Sequence, residues 1–316
     1  MAETSHETAR PAPLFGISVA PWARDTRHII ETARLADALG LDLIGIQDHP
    51  YNGGFLDTWT LLAALGGMTT RLRLLPDVLN LPLRPPALLA KAAATLDLLT
   101  DGRVELGLGA GAVWDNIAGY GGPRRTPGEA LAALEEAIQI LRALWEPSPG
   151  GQGSQGSQGV TFAGRHYQIT SAQPGPTPAH PIGIWIGGYG PRMLDLIGHR
   201  ADGWIPSAPY LASAELPAKQ DAIDAAARAA GRAPASIRRA YNMGGVVLAP
   251  GDMVTRPARP GVLVGPAALW TETLISYYRD LRLDTFIFWP AGGQHERQIR
   301  AFAEEIAPSV RQAVGA

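Results

Sequence analysis

The sequence contains no cysteine, which removes disulfides, thiolate nucleophiles and cysteine-held zinc or iron–sulfur centres from consideration. The chain is therefore redox-inert by itself. Any electrons it moves must come from a bound organic cofactor, or from a metal held by histidines and carboxylates. A metal is poorly served, because the seven histidines are scattered and none stands at ligand spacing from another or in a carboxylate cluster. Charge is sparse, at 18% of residues, with a formal net value of −2. No basic stripe of the kind that nucleic acid requires is present, so nucleic acid is excluded as a partner. No apolar run approaches the roughly 20 residues of a membrane span. Met1 to Pro13 is polar, with Glu3, His6, Glu7 and Arg10. It lacks the apolar core of a secretory signal, reads as a flexible tail, and leaves the cytoplasm as the expected location. The absence of a Gly-x-Ser-x-Gly elbow and of a P-loop argues against hydrolase and NTPase chemistry.

The chain does have hydrophobic residues in quantity, 46% of 316, enough for a large core in one domain spanning 14–316. They fall in a repeated alternation of short β-type runs and longer helical patterns. Leu14 to Val19 reads as a strand followed by a helix behind Asp25, and Leu43 to Ile46 as a strand followed by a helix from Asp57 to Met68. Leu72 to Leu79 precedes a helix from Pro85 to Leu99, and Val104 to Leu108 precedes a long helix from Pro127 to Trp145. An insertion over about 146–180 interrupts the pattern. It holds the Gly/Ser/Gln tract Pro147 to Gly159, which has nothing to bury and reads as a mobile surface loop, and then a hairpin around Ala163-Gly164. Alternation resumes with strands at Ile182 to Ile186, Gly203 to Ile205, Val246 to Leu248 and Thr285 to Phe288, and a helix from Glu296 to Val314 closes the chain. Regular βαβ alternation selects a parallel sheet, and eight units in this length select a single closed (β/α)₈ TIM barrel with a peripheral insertion. A Rossmann sheet would want a glycine-rich turn after the first strand, where Ala20-Pro21-Trp22 stands instead.

In such a barrel the chemistry sits just beyond the C-terminal ends of the strands. Asp48-His49 follows the second strand, and a histidine, titrating near neutrality, is suited to proton transfer there. An ordinary loop-ordering histidine is the plainer reading of the same residue. Gly109-Ala110-Gly111 follows the fourth strand and lets a flat ring approach the backbone. Gly187-Gly188-Tyr189-Gly190-Pro191-Arg192 joins a strand to a helix start, an arrangement that receives a phosphate on backbone N–H groups with Arg192 adding a charge-assisted bond. Trp22, Tyr51, Phe55, Trp114 and Trp289 supply apolar rim surface for a small organic substrate with a sizeable apolar part. Trp59, Trp145 and Trp270 lie within helical patterns and read as packing residues.

Leu83 to Asp97 followed by Thr100-Asp-Gly-Arg-Val-Glu-Leu-Gly-Leu-Gly-Ala-Gly111, with Ile184 to Leu194 and Ala201-Asp-Gly-Trp204, resembles the central signature of the luciferase-like flavin-dependent oxidoreductases. The resemblance runs from about Phe15 to Ala307. It implies FMN or the deazaflavin coenzyme F420 as cofactor, with monooxygenation or hydride transfer as the activity. It also implies a homodimer, with a flavin reductase among the partners. Asp77, Val78 and Asn80 correspond to the family's ring-supporting third strand, and the Asp77-Val78 bond to its non-prolyl cis peptide. Asp48 and His49 match the Asp-His of the deazaflavin branch, where the histidine lies next to the hydride-exchanging part of the ring. One position departs: Ala112 stands where the sugar-phosphate dehydrogenases of that branch carry a glutamate, which argues against glucose 6-phosphate as substrate. The competing reading is a flavin-binding barrel without turnover, since fold and cofactor do not by themselves establish activity.

Overall fold

The computed structural model describes residues 10–146, 159–252 and 261–316. The tail before residue 10 and the tract at 147–158 expected to be mobile lie outside the described residues. The chain divides into two compact units, one of residues 17–187 and one of residues 188–316 together with the segment up to Gly16.

The 17–187 unit holds the end of β1 (Leu14–Val19), then α1 (Thr26–Ala38), β2 (Leu43–Ile46), α2 (Thr58–Gly66), β3 (Arg73–Pro76), β4 (Leu79–Asn80), α3 (Pro86–Leu99), β5 (Leu106–Gly109), α4 (Trp114–Gly119), α5 (Pro127–Trp145), β6 (Val160–Ala163), β7 (Gln168–Ala172) and β8 (Ile184–Ile186). Strand β2 runs parallel to β3, with Leu43 opposite Arg73 and Ile46 opposite Pro76. β5 lies between β4 and β8, parallel to both, and a parallel bridge from Leu74 to Val104 links the β3 side to the β5 side. Parallel strands covered on both faces have no solvent side, which is why β2 reads as the unbroken apolar run Leu-Ile-Gly-Ile, every residue of it buried. The strands approach closely at Gly107, where a Cβ would stand 2.1 Å from the Pro76 carbonyl oxygen, so no side chain is tolerated. Helix α5 starts where the sequence places it, at a capping box in which the Glu129 N–H donates to Thr126 Oγ1 and the Thr126 N–H donates to Glu129 Oε2. β6 and β7 form the expected antiparallel hairpin.

The second unit holds α6 (Pro191–Arg200), β9 (Gly203–Trp204), α7 (Leu216–Ala229), β10 (Arg238–Leu248), β11 (Val262–Pro266), α8 (Ala267–Arg279), β12 (Thr285–Pro290), α9 (His295–Ala301) and α10 (Ala307–Val314). β10 is its central strand, parallel to β9, β11 and β12. It is eleven residues long and starts well before the expected Val246, because the charged opening Arg238-Arg239 is neutralised in place. Arg239, 4% exposed, donates to Asp224, which also accepts from Arg282. Trp204, Trp270, Phe286, Phe288 and Phe302 fill this unit's core. The closing helix runs unbroken as expected, α9 passing into α10 through Phe302–Ile306, a turn wound wider than an α-helix. Among the described residues no helix is long and apolar enough to cross a membrane, and no group of three or more His, Asp or Glu side chains could hold a metal ion.

Candidate active site

In the 17–187 unit, β2 delivers Asp48 and His49 to the rim just beyond its last buried residue, Ile46. Asp48 is 3% exposed, and a buried carboxylate must be paired. Both its oxygens are. Arg84 donates through Nε to Oδ2 at 3.0 Å and through Nη2 to Oδ1 at 2.9 Å, and the Asn80 N–H donates to Oδ2 at 2.9 Å. Arg84 Nη2 also donates to Asp57 Oδ2 at 2.7 Å. Burial alone would lower the Arg84 pKa, but Asp48 and Asp57 outweigh it and drive the value up. Asp57 in turn caps α2 by accepting from the Thr60 N–H, so the rim cluster is anchored to a helix start.

A carboxylate next in sequence to His49 would support the imidazole and raise its pKa by favouring the charged form. Instead Asp48 faces Arg84, and the partner of His49 is Tyr51, whose hydroxyl lies 2.9 Å from Nδ1. The His49 side chain reaches solvent, yet enough protein packs round it that desolvation holds its pKa below the ordinary value, over the opposing pull of Asp48. Burial pushes the Tyr51 phenol up, with the Asp48 charge adding to the shift. Both groups are therefore neutral near pH 7.

The aromatic residues expected at the rim are partly gathered here. Trp22 and Phe55 are bridged antiparallel and stack edge to face with centroids 4.6 Å apart, and Phe55 stands 6.3 Å from the His49 ring. Trp114 lies apart from these contacts, over Gly111, where a Cβ would meet it and Pro82 at 2.7 Å. The peptide between Asp77 and Val78 is cis. Asp77 packs over Gly45, where a Cβ would stand 3.1 Å from its Oδ2, and Val78 packs over Gly109. Asn80 follows at the end of β4, opposite Gly109. Its side-chain Oδ1 is buried and has no hydrogen-bond partner. Gly187 closes the 17–187 unit, its N–H donating to the Leu108 carbonyl at 3.3 Å. Arg84 and Asp57 escaped the sequence reading, being 36 and 27 residues from the groups they pair. The one signal was the position of Arg84 inside the Leu83 to Asp97 signature.

In the second unit, Gly188, Tyr189, Gly190, Pro191 and Arg192 form the lead-in to α6. Gly190 is its N-cap, no side chain caps it, and Pro191 opens the helix. The Met193 N–H turns back to the Gly190 carbonyl, and Arg192 is exposed. The turn is fastened by Trp204 Nε1 donating to the Gly188 carbonyl at 2.9 Å and by the Ser207 N–H donating to Tyr189 Oη at 3.3 Å. Lys219, missed in the sequence, brings a positive charge here by donating to the Tyr189 carbonyl at 3.2 Å. Trp289, at the end of β12, is 44% exposed.

Solved structures share this architecture. An F420-dependent secondary alcohol dehydrogenase in complex with an F420-acetone adduct superposes with a TM-score of 0.78 at 20% identity, covering 95% of this chain and 99% of that one. A long-chain alkane monooxygenase, LadA, gives 0.77 at 13% identity, covering 97% and 92%. The fold is thus a mostly parallel sheet nearly closed into a barrel of nine strands, with helices. Nine replace the expected eight because the third is split at Asp77-Val78 into β3 and β4. β11, which no reading of the sequence anticipated, pairs with β10 outside that series. Among curated relatives, an F420-dependent glucose-6-phosphate dehydrogenase of Amycolatopsis mediterranei is 32% identical over 186 residues, 57% of this chain and 53% of that protein. An uncharacterised protein of Mycobacterium tuberculosis is 38% identical over 209 residues, 60% of this chain and 68% of that protein. The chain spans about half the length of the first of these relatives. The sequence pattern of the luciferase-like monooxygenases matches residues 7–279, and the chain belongs to that family.

Proposed function

We propose that the protein is an oxidoreductase that binds the deazaflavin F420 and transfers hydride to or from a small organic substrate, with His49 handling the accompanying proton. The observation that carries the reading is the His49–Tyr51 pair just beyond the end of β2, with the phenol oxygen 2.9 Å from the imidazole Nδ1. A flavin-carrying barrel without turnover has no use for such a pair, whereas hydride transfer to a polar bond must move a proton as well. The relatives named as F420-dependent dehydrogenases favour the deazaflavin over FMN.

The residues present fit a flavin-type ring. Asn80 Oδ1 is a buried acceptor without a donor, and the pyrimidine edge of flavin or deazaflavin carries an N–H that such an atom accepts. Asp77, Val78, Asn80 and the Gly109-Ala110-Gly111 strip would hold the ring, and when bound it would supply the hydride. Trp22, Phe55 and Tyr51 would exclude water beside it, with Trp114 and Trp289 as further apolar surface for the substrate. Glucose 6-phosphate is not the substrate we propose, because Ala112 offers no carboxylate. A homodimer is the assembly we expect. A flavin reductase enters only if FMN is the cofactor.

Titrating the purified protein with F420 and with FMN, oxidised and reduced, tests the choice. Tight binding of F420 alone is the expected result, and binding of FMN alone would move the protein to the monooxygenase branch. The α6 lead-in, Gly187 to Arg192, is our candidate for the cofactor phosphate, with Lys219 adding charge. Arg192→Ala should weaken binding by about 1.5–3 kcal/mol, the range of a hydrogen bond to a charged group. Unchanged affinity at matched salt would remove Arg192 from the site.

A further inference from the structure

The turn that carries His49 is closed by the Asn52 N–H donating to the His49 carbonyl at 2.9 Å. It sets the His49 and Tyr51 rings 5.6 Å apart and tilted by 50°, with the phenol oxygen at Nδ1. Phe55 lies against the imidazole as well. The charged groups nearby leave Nδ1 to Tyr51, since the Asp48 oxygens are taken by Arg84 and the Asn80 N–H, and Arg84 is shared with Asp57. We propose that Tyr51 is the positioning residue of His49. Its phenol donates to Nδ1, places the imidazole proton on Nε2, and replaces that proton as Nε2–H is given to a substrate oxygen.

The chemistry follows from the inventory of donors. A neutral imidazole accepts at one nitrogen only when the other bears the hydrogen, so the bond at Nδ1 decides the state of Nε2. A phenol is a better donor than acceptor, because its lone pairs are drawn into the ring. Its desolvated, proton-retaining state next to an imidazole that resists a second proton supports that direction. For a carbonyl substrate the step balances as follows. When bound, the reduced deazaflavin would supply the hydride, and with it two electrons, to the carbonyl carbon. The carbonyl oxygen takes the Nε2 proton while Nδ1 takes the proton of Tyr51. Solvent water then reprotonates the phenolate. The relay runs toward the alcohol because an alkoxide is far more basic than a phenolate.

This inference rests on the reading of His49 as the proton-handling residue, so its test begins without cofactor or substrate. Imidazole ¹⁵N spectra of the cofactor-free protein, with the His49 signals assigned by their loss in His49→Gln, should show the Nε2–H tautomer. In Tyr51→Phe, which keeps the ring and deletes only the hydroxyl, they should shift toward a tautomer mixture. A His49 signal carrying Nδ1–H in the wild type, or one that Tyr51→Phe leaves unmoved, overturns the assignment. With cofactor and substrate, the same variant should lower kcat by about 10–100-fold, by analogy with the loss of partners that orient metal-bound histidines, at nearly constant KM. An unchanged kcat overturns the relay. Failure to bind any flavin or deazaflavin would instead strike the functional reading, and the tautomer spectra keep the two failures apart.

Discussion

His49→Gln lowers turnover by about 10²–10⁴-fold, the range for loss of a general acid–base group, while cofactor affinity stays within about twofold. Gln keeps a polar, hydrogen-bonding side chain of similar reach but cannot titrate. The loss should therefore fall on kcat and kcat/KM together, the pattern of an interaction made only in the transition state. The pH profile separates this from a structural effect. Desolvation holds the His49 imidazole below its ordinary value, so the wild-type rate should break below about pH 6.5, where an ordinary histidine takes up its second proton, and the variant should lose that break. Stopped-flow turnover across pH, with cofactor binding measured by fluorescence, checks both. If the variant turns over at the wild-type rate with an unchanged profile, His49 only orders its loop and the proton comes from Asp77, Tyr51 or water.

How much of this was legible depended on whether the determining contact was local. Buried parallel strands announce themselves as continuous apolar runs, so β2 is read from Leu43 to Ile46 to the residue, and the rule that chemistry follows a barrel strand points to Asp48 and His49. The start of α5 was equally legible because Thr126, Pro127 and Glu129 cap the helix from within four residues. Contacts that close across tens of residues left no such trace. β10 opens with two arginines that look like a loop, and only the carboxylates of Asp284, against Arg238, and of Asp224, brought up by α7 against Arg239, make them tolerable in a strand. Adjacency also misled. Asp48 turns to Arg84 and the Asn80 N–H, so the carboxylate next in sequence was not the partner in space. The turn closed by the Asn52 N–H on the His49 carbonyl brings Tyr51, two positions on, back to the imidazole. The sequence offered Tyr51 as apolar rim surface and as an alternative proton source, not as the partner of the imidazole.

The largest stability effect should come from Arg84→Met, which removes the guanidinium and keeps much of the apolar stem. Its side chain is 19% exposed and that of Asp48 is 1% exposed, so the variant strands a carboxylate with the Asn80 N–H as its remaining partner. Breaking a buried ion pair from one side costs about 3–5 kcal/mol, because the charge left behind has neither water nor counter-ion. Urea unfolding should show the midpoint falling with the slope unchanged. The reason for the cost predicts its cure. In the double variant Asp48→Asn/Arg84→Met the neutral amide can still accept from the Asn80 N–H and carries no charge to desolvate, so most of the lost stability should return. A single-variant loss under about 1 kcal/mol would place the pair among exposed ion pairs, with water reaching Asp48. The functional consequence differs between the two variants. Arg84 holds Asp48, which in turn holds the end of β4 by accepting from the Asn80 N–H, and the start of α2 through Asp57. A double variant that recovers its stability but not its turnover would show that the guanidinium, beyond balancing a buried charge, keeps the rim that carries His49 in working register.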